Sequence, residues 1–277
     1  MQPDFARNIV ACFVQVDDLL KTQSEGLAVK TGRPSTLFDS ELLTMVIFGT
    51  LTHKARTFKD LWCFMSHYHQ ADFPNLPAYQ NFVAHVHRVL PLMVWVLQNL
   101  LRDAPLRFLD STKLPVCHLH RAERHQVARS RAAFGKNHQG WWYGFKLHAA
   151  IDSRGQLCAV RITPANVHDQ GITPALTQSR TRIAVGDGGY RSSVMNRWLW
   201  EQRGVFVLTP PHYKQVRQVA TSWQHQLVSM RAKIEAVFDL LKEHLPLVTS
   251  FPRSITGYLV HYVRVLLAYQ FGVLGVS

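Results

Sequence analysis

The hydrophobic positions of the first hundred residues recur at helical spacing. A first helix is predicted to begin at Pro3 and Asp4, and its apolar side chains share one face: Phe5, Ile9, Phe13, Val16 and Leu20. After a break at 31–35, Asp39 or Ser40 is predicted to cap a second helix that buries Leu42, Leu43, Val46 and Ile47. Further apolar repeats predict helices at about 57–67 and between 82 and 101. The pattern therefore predicts a small all-α domain over residues 1–103.

The spacing changes near residue 106, where alternating positions predict strands. A short strand is predicted to end at Asp110, and a long aromatic strand is predicted to end at a hairpin turn over Asp152–Gly155. Further strands are predicted at 156–163, 182–187 and 204–209, and helices at 169–178, 192–202, 223–244 and over the apolar C-terminus. Strands interleaved with helices predict an α/β domain over residues 104–277, with a mixed sheet flanked by helices.

Three acidic residues are the strongest candidates for chemistry. Asp110 and Asp187 each end a predicted strand, and acids at the carboxyl ends of neighbouring strands converge at one edge of a sheet. The glycines around Asp187 let the backbone approach a ligand closely. Glu235 lies at the margin of an apolar helix stripe, in a sector shared with Arg231 and Lys242. We expect Glu235 to face a cleft, where the two basic side chains could hold phosphate.

Three carboxylates suit the cleavage of a phosphodiester. The phosphate is negatively charged and the leaving alkoxide is poor, so two Mg²⁺ ions about 3.5–4 Å apart can activate the nucleophile and stabilise the leaving oxygen. Mg²⁺ prefers hard carboxylate oxygens and keeps part of its water shell. Simpler roles remain open for each acid alone: Asp110 as a cap or turn residue, Asp187 as a turn residue, and Glu235 in a surface ion pair with Arg231.

The charge of the chain indicates a polyanionic partner. The 277 residues carry a formal net charge of +13, with a pI of about 9.9. The excess lies after residue 102, where 22 basic and 10 acidic residues give +12. Nucleic acid is the first candidate partner for such a chain, and a charge that serves only solubility is the alternative.

The cysteines and the apolar stretches bear on the compartment. The four cysteines lie far apart without a CxxC pair, which argues against a disulfide framework and favours a reducing compartment. The N-terminus lacks a basic region followed by an apolar one, so no secretory signal is predicted. The apolar stretch at 88–102 is too short to span a membrane, and the one at 255–277 carries His261 and Arg264 near its middle. We therefore expect a cytoplasmic protein without membrane contact.

Further basic residues are candidate DNA contacts. Lys146 and His148 share one face of their strand because side chains alternate there, and a polar pair on a sheet face is the alternative. The loop at 121–138 can neutralise phosphates without reading sequence, or it is a solvated loop. The candidates in that loop and after the first acid are Lys113, Arg121, Arg124, Arg129, Arg131 and Lys136.

Three other features allow two interpretations each. The aromatic run Trp141–Tyr143 could stack on splayed bases or fill the core. Asp169 could join the acidic cluster or cap a helix. Cys117, His120 and His125 have partial zinc-ligand spacing without a second clean half-site, and a strand end with a polar loop is the simpler interpretation.

Several stretches of the chain resemble a bacterial insertion-sequence transposase of the DDE type, which has a ribonuclease-H-like catalytic domain. The resemblance covers most of residues 106–271 and rests on Leu109–Thr112, Tyr143–His148, Thr163–Asp169, Gly186–Tyr190, and Arg231 with Glu235 and Lys242. In the first domain, Gly32–Pro34 and Arg56–Lys59 also look like that family.

The resemblance implies roles for the matching residues. Asp110, Asp187 and Glu235 would be the catalytic metal ligands, holding two Mg²⁺ ions for which Mn²⁺ could substitute. The partners would be the terminal inverted repeats of an element and a target DNA, bound by a homodimer at least on paired ends. Water would cut the element boundary, and the 3′-hydroxyl would then attack the target. The helical domain could read the ends through Arg33, Lys54, Arg56 and Lys59.

The sequence departs from the family pattern in two places. Val228 stands where related elements often carry Tyr, three residues before Arg231, and the connection from 210 to 222 is too short for the β-rich insertion of some relatives. The excision route is therefore open. Two other functions also remain: a nuclease or resolvase that cleaves without joining, and a catalytically inactive DNA-binding protein derived from a transposase.

Overall fold

A computed structural model describes residues 8–22, 36–137, 140–178, 180–210 and 222–274. The chain divides into two compact units, which we call the helical unit (Met1–Leu100 with Leu241–Ser277) and the sheet unit (Leu101–Leu240). The predicted helix start at Pro3, the break at 31–35 with Arg33, and most of the connection from 210 to 222 lie outside the described residues.

The helices and strands follow the predicted order, except that a short strand at Ala133–Asn137 forms in the segment predicted to be a loop. The α-helices of the described chain are α1 (Ile9–Lys21), α2 (Asp39–Thr52), α3 (Phe58–Tyr68), α4 (Tyr79–Arg88), α5 (Leu90–Leu100), α6 (Asp169–Leu176), α7 (Ser193–Arg203), α8 (Ser222–Met230), α9 (Ala232–Asp239) and α10 (Ile255–Leu274). The strands are β1 (Leu106–Pro115), β2 (Ala133–Asn137), β3 (Gly140–Ile151), β4 (Leu157–Pro164), β5 (Ile183–Val185) and β6 (Phe206–Leu208). Single turns of other helix types cover Leu119–Arg124, Gly188–Tyr190 and Leu240–His244.

Two helices that are apolar on every side form the centre of the helical unit. Helix α2 is buried from Leu42 to Thr50, and α10 is buried from Val260 to Phe271. Helix α10 packs against α2 and α5. The last helix therefore shares the core of the N-terminal helices, whereas the sequence grouped it with residues 104–277. The apolar spacing shows that a helix is buried, but it does not show which elements cover it.

Two helix starts in this unit can be compared with their predicted caps. The Thr57 hydroxyl accepts a hydrogen bond from the Asp60 N–H at 3.0 Å, so α3 begins close to its predicted position. The predicted cap of α2 at Asp39 or Ser40 is wrong, because the helix already begins at Asp39 and the Glu41 carboxylate accepts from the Phe38 N–H at 2.7 Å. No helix within the described residues is long and apolar enough to traverse a bilayer.

The sheet of the described residues has six strands, ordered β2-β3-β1-β5-β6, with β4 also paired to β3. Strand β3 is antiparallel to β1, β2 and β4, whereas β5 and β6 run parallel to β1. The hairpin predicted at Asp152–Gly155 is confirmed, with Gly155 at φ +85° and the Asp152 carboxylate accepting from two backbone N–H groups. This mixed sheet, flanked by helices, confirms the predicted α/β class.

Helices cover the sheet near its centre. Leu109 of β1 packs into a buried cluster with Leu176 of α6 and Leu199 of α7. Helix α9 also packs against β1. Because successive side chains of a strand point to opposite faces, Asp110 leaves β1 on the side away from Leu109, and there it meets Arg231 beside α9.

Two elements differ from their predicted extents. Strand β1 continues to Pro115, because residues 108–115 pair with β3, so Asp110 lies within the strand and not at its end. The helix predicted at 223–244 is divided near Arg231 into α8 and α9, and α9 passes into a short π-helical turn. Neither difference could be deduced from apolar spacing alone.

Candidate active site

The register of the parallel strands brings two predicted acids to matching positions. Phe108 of β1 pairs with Val185 of β5, and each chain reaches an aspartate two residues further on, at Asp110 and Asp187. Neighbouring strands that run in the same direction therefore deliver both carboxylates to one edge region of the sheet.

Asp110 is a buried carboxylate with little neutralising charge around it. Its side chain is 16% exposed, and it accepts hydrogen bonds from the Ser111 N–H at 2.8 Å and from Arg231 at 3.3 Å. The pKa of Asp110 is raised to about 6, mainly because burial penalises the charged form. The negative charges of Asp187 and Glu235 also raise this pKa, while Ser111 and Arg231 oppose the rise. All three predicted acids thus interact electrostatically.

Asp187 begins a tight turn formed by glycines. Its carboxylate accepts from the Gly189 N–H at 2.9 Å, so the side chain caps the 188–190 turn. A Cβ on Gly186 would lie 2.8 Å from the Tyr190 ring, and a Cβ on Gly189 would lie 3.0 Å from the Asp187 carboxylate. The glycines therefore permit the close packing that holds this carboxylate.

Arg231 bridges the first and third acids. Its guanidinium donates to Asp110 and, one helical turn away, to Glu235. Arg231 is 20% exposed and Glu235 is 52% exposed, so the bridge lies between a buried carboxylate and an open one. The Arg231–Glu235 ion pair weighed from the sequence is present, and it includes Asp110 as well.

Asp169 joins this region through contacts that the sequence did not predict. It is the first residue of α6, whose cap position is His168, so the cap interpretation is wrong. Its carboxylate lies 3.1 Å from the Lys146 ammonium and 3.4 Å from Nδ1 of His148, both on β3. Its second oxygen lies 3.2 Å from the position of a Cβ on Gly189. Asp169 thus lies between β3 and the turn that carries Asp187, and the sequence signals for it were its predicted loop-to-helix junction and its place in the Thr163–Asp169 stretch that resembles the family.

Tyr190 lies under the acidic turn. Its side chain is fully buried, and its hydroxyl has no hydrogen-bond partner in the described structure. Burial raises the pKa of Tyr190 well above its usual value, and the charges of Asp169, Asp110 and Asp187 raise it as well. The phenol therefore stays neutral as a buried donor near three carboxylates.

The predicted DNA contacts on β3 are engaged within the protein. Lys146 donates to the Val167 carbonyl and to Asp169, and His148 is fully buried, with its ring 2.9 Å from the Thr163 hydroxyl. Burial lowers the pKa of His148, so it is neutral at physiological pH. The predicted DNA contact at His148 is therefore corrected, because no DNA can reach a fully buried ring. Lys113 pairs with Lys146 across the two strands.

The basic loop after β1 has the exposure that phosphate contact requires. All five of its predicted cations are exposed: Arg121, Arg124, Arg129, Arg131 and Lys136. The Lys136 ammonium also lies over the ring of Trp141, which is 57% exposed, whereas Trp142 and Tyr143 are buried. The aromatic run thus splits between core and surface. Lys242, the remaining predicted cation, comes after Leu240, the last residue of the sheet unit, and therefore belongs to the helical unit.

The acidic side chains of the described structure are not grouped as the ligands of one metal ion. Within the described residues, no group of three or more His, Cys, Asp or Glu side chains is arranged to hold a metal ion. This applies to the acids, where Arg231 lies between Asp110 and Glu235, and to Cys117, His120 and His125 of the zinc alternative.

Comparison with known proteins agrees with this geometry. The family model described as "Transposase DDE domain" matches residues 102–255, which is more than half of the chain and contains Asp110, Asp187 and Glu235. No curated protein matches the sequence.

Proposed function

The chain belongs to the DDE transposase family, and from this we propose that it is an enzyme that moves an insertion sequence. It would bind the terminal inverted repeats, cleave the DNA at the ends of the element, and join the 3′-hydroxyl to target DNA. The observation that carries the proposal is the β1–β5 register, which supplies Asp110 and Asp187 at matching positions while Glu235 interacts electrostatically with Asp110.

We propose a ribonuclease-H-like fold for the sheet unit. A central β1, an antiparallel β3 and β4 on one side, and parallel β5 and β6 on the other side support this assignment. In such an arrangement, the first acid comes from the central strand, the second from the neighbouring parallel strand, and the third from a following helix. Asp110, Asp187 and Glu235 occupy those three places.

The donor set fits divalent cations. Three carboxylates supply the hard oxygens that Mg²⁺ prefers, and the negative charges of Asp187 and Glu235 add to the rise that burial causes in the pKa of Asp110. We propose that Asp110, Asp187 and Glu235 hold two Mg²⁺ ions, which Mn²⁺ can replace. When bound, the ions would activate the attacking hydroxyl and stabilise the leaving oxygen of the phosphodiester.

Arg231 would change partners between the two states of the site. In the structure its guanidinium neutralises Asp110 and Glu235. Once cations neutralise those carboxylates, the guanidinium is free to donate its paired N–H groups to a DNA phosphate, for which its planar geometry is well suited. The residue would thus protect the empty site from charge repulsion and then orient the substrate.

Asp169 would be a positioning residue. Held by the Lys146 ammonium and lying 3.4 Å from Nδ1 of the neutral His148 ring, it packs beside Gly189 and would limit the movement of the turn that carries Asp187. We expect Asp169→Asn to lower DNA cleavage and also to weaken Mg²⁺ binding, because the Asp187 turn would lose its support. Unchanged Mg²⁺ affinity would contradict the positioning role.

The DNA would follow the exposed cations of the sheet unit. The loop arginines and Lys136 face solvent, whereas Lys113 and Lys146, side by side on the sheet, are only partly exposed. Such contacts neutralise phosphates and set the position of the duplex without reading its sequence. We propose that the active form is a homodimer on paired ends and that residues of the helical unit read the repeat.

The test is a strand-transfer assay on a duplex that carries the terminal repeat found beside the coding region. We expect nicks and joined products in Mg²⁺, and Asp187→Asn should remove both while leaving repeat binding in EDTA unchanged. A matched pair on α9 sharpens the assay: Glu235→Gln should be inactive, and Asp239→Asn, an exposed acid one turn further, should retain activity.

The products separate the other functions. Nicks without joining, even from a pre-cut 3′-hydroxyl end, would indicate a nuclease. Tight binding of the repeat with neither product would indicate an inactive DNA-binding descendant. Loss of the circular-dichroism spectrum in Asp187→Asn would show that this residue serves folding.

A further inference from the structure

A cavity of about 310 Å³ lies within the helical unit, away from the acids. It is bounded by the start of α3, one side of α4, and the segment that leads into α10. The volume lies at the lower end of the range for small-molecule sites. The site is thus large enough for a compact organic ligand and too small for a folded segment of another protein.

The lining of the cavity is cationic. Arg56 and Arg253 both border it, and of the described residues that line it none is acidic. Both arginines are exposed, and neither forms an ion pair with another described residue. The Asp60 carboxylate accepts from the Arg56 N–H at 3.0 Å but forms no ion pair with either guanidinium, so two positive charges at the rim of one cavity favour an anionic ligand.

The buried Arg264 holds the backbone at the rim of this cavity. The fully buried Arg264 of α10 donates to the carbonyls of Ala55 and Arg56 at 2.8 and 3.1 Å. Its guanidinium also lies 5.0 Å from the ring centroid of Phe58, which lines the cavity. The backbone at Arg56 is therefore held in place before a ligand arrives, and a further positive charge lies beneath the site.

Aromatic rings also line the cavity. Phe58, Tyr79 and Phe251 border the cavity, and Phe251 is 62% exposed at its edge. The Lys59 ammonium lies 4.8 Å from the Tyr79 ring centroid, which ties another cation to this wall. Gly257 also lines the cavity, and a Cβ at this position would lie 3.2 Å from the Ser254 hydroxyl and narrow the cavity there. Flat apolar rings beside unpaired arginines match a ligand that has a planar base and a phosphate.

We propose that this cavity binds one unstacked nucleotide of a DNA strand, with the base against Phe251 and Tyr79 and the phosphate at Arg56 and Arg253. The inference rests on the proposed DNA-joining function, which supplies a DNA substrate whose ends must be opened. Base stacking on aromatic side chains tolerates any base, so the site would hold a strand without reading its sequence. It would give the helical unit a contact with DNA, although the 11 basic and 9 acidic residues of that unit give a net charge of only +2.

The test uses the full chain in EDTA, so that no strand is cut. The probe is a single-stranded thymidine oligonucleotide that contains one 5-iododeoxyuridine, which crosslinks to adjacent aromatic rings on illumination. We expect the crosslinked peptide to contain Phe251 or Tyr79. A crosslink confined to the peptide with the exposed Trp141 of the sheet unit would overturn the proposal.

Binding measurements on matched variants complete the test. Fluorescence anisotropy should show that Phe251→Ala weakens binding of the oligonucleotide about tenfold, the range for loss of one stacked base. Phe38→Ala, an equally exposed phenylalanine at 68% in the same unit, should change nothing. Arg56→Ala should also weaken binding, whereas Arg88→Ala, an exposed arginine of α4, should not. Equal affinities for Phe251→Ala and Phe38→Ala would contradict the site.

The design separates failure of this inference from failure of the proposed function. Crosslinking at Phe251 in a chain that neither nicks nor joins DNA would leave the cavity assigned and refute the transposase. Strand transfer by the original chain, together with normal oligonucleotide binding by the Phe251 and Arg56 variants, would support the transposase and refute the nucleotide site in the cavity.

Discussion

Each unit has an arginine that donates to several side-chain or backbone groups, but the partners of Arg264 and Arg231 differ. In the helical unit, Arg264 is fully buried and donates to the backbone carbonyls of Ala55 and Arg56, to the Thr50 hydroxyl and to the His261 ring. In the sheet unit, Arg231 is 20% exposed and donates to the carboxylates of Asp110 and Glu235. The guanidinium of Arg264 thus donates to neutral groups, with its Nε left without a hydrogen-bond partner among the described residues, whereas Arg231 donates to two negatively charged groups.

The difference indicates which charge is structural and which can be exchanged. Backbone carbonyls are neutral acceptors that need a hydrogen-bond donor when buried, so Arg264 contributes a fixed set of hydrogen bonds between α10 and the start of α3. Its pKa is lowered to about 10 by burial, and it remains charged at neutral pH. Carboxylates, by contrast, bind metal cations well, so the Mg²⁺ ions proposed above would compete with Arg231 for Asp110 and Glu235.

The largest effect is expected from removal of the buried cation. Arg264→Met keeps much of the side-chain volume but leaves the carbonyls of Ala55 and Arg56 without their donors. We expect the free energy of unfolding in urea to fall by about 3–5 kcal/mol, because several buried polar groups lose their partners together. Arg88→Met, at an exposed position of α4, is the control and should stay close to the original stability. A loss below about 1 kcal/mol would show that water replaces the guanidinium.

The next effect concerns the pH dependence of stability. Because the pKa of Asp110 is about 6 in the folded chain and 3.8 in its ordinary state, the folded protein keeps a proton that the unfolded chain has released between these values. Stability contributed by this group is therefore present below pH 4 and is lost as pH rises through 6. Asp110→Asn should remove that loss, which is on the order of 2–3 kcal/mol.

Unfolding midpoints measured from pH 4 to 7 would check this slope. The two proteins should converge at the acidic end and separate near neutrality, with Asp110→Asn the more stable. A constant offset at every pH would assign the difference to packing and not to ionisation.

A smaller effect is expected from the exchangeable arginine. Arg231→Ala removes the cation that competes with Mg²⁺ for Asp110 and Glu235, so Mg²⁺ should bind about tenfold more tightly in calorimetry, a gain of about 1.4 kcal/mol. DNA cleavage should nevertheless fall, since the phosphate loses a donor. Lys233→Ala is the matched control, because Lys233 lies on α9 and donates to the Ser153 carbonyl. Weaker Mg²⁺ binding in Arg231→Ala would show that the guanidinium supports the metal site.

The smallest effects belong to the exposed loop. Each single change among Arg124, Arg129 and Arg131 to Ala should weaken DNA binding only slightly. Each lost phosphate contact should reduce the slope of log affinity against log salt by about 0.9. Arg154→Ala, in the exposed hairpin turn, serves as the control. An unchanged slope in the triple variant would remove the loop from the DNA surface.

Local chemistry explains which parts could be predicted. The hairpin at Asp152–Gly155 and the start of α3 at Thr57 depend on residues a few positions apart, and the structure confirms both. The convergence of Asp110 and Asp187 was also predictable, because it follows from two neighbouring parallel strands. The end of β1 was not, since its extension to Pro115 depends on pairing with β3, about 30 residues later in the chain.

The sequence by itself determined the α/β class, the family and the three acids, because helical and alternating patterns and short motifs are local properties of the chain. Only the tertiary structure decided that α10 packs with the N-terminal helices, that His148 is buried, and that Asp169 lies beside the Asp187 turn. The cavity beside Arg56 and Arg253 also belongs to this second group. These features join residues far apart in the chain, and the free energy of bringing them together comes from packing that no local pattern encodes.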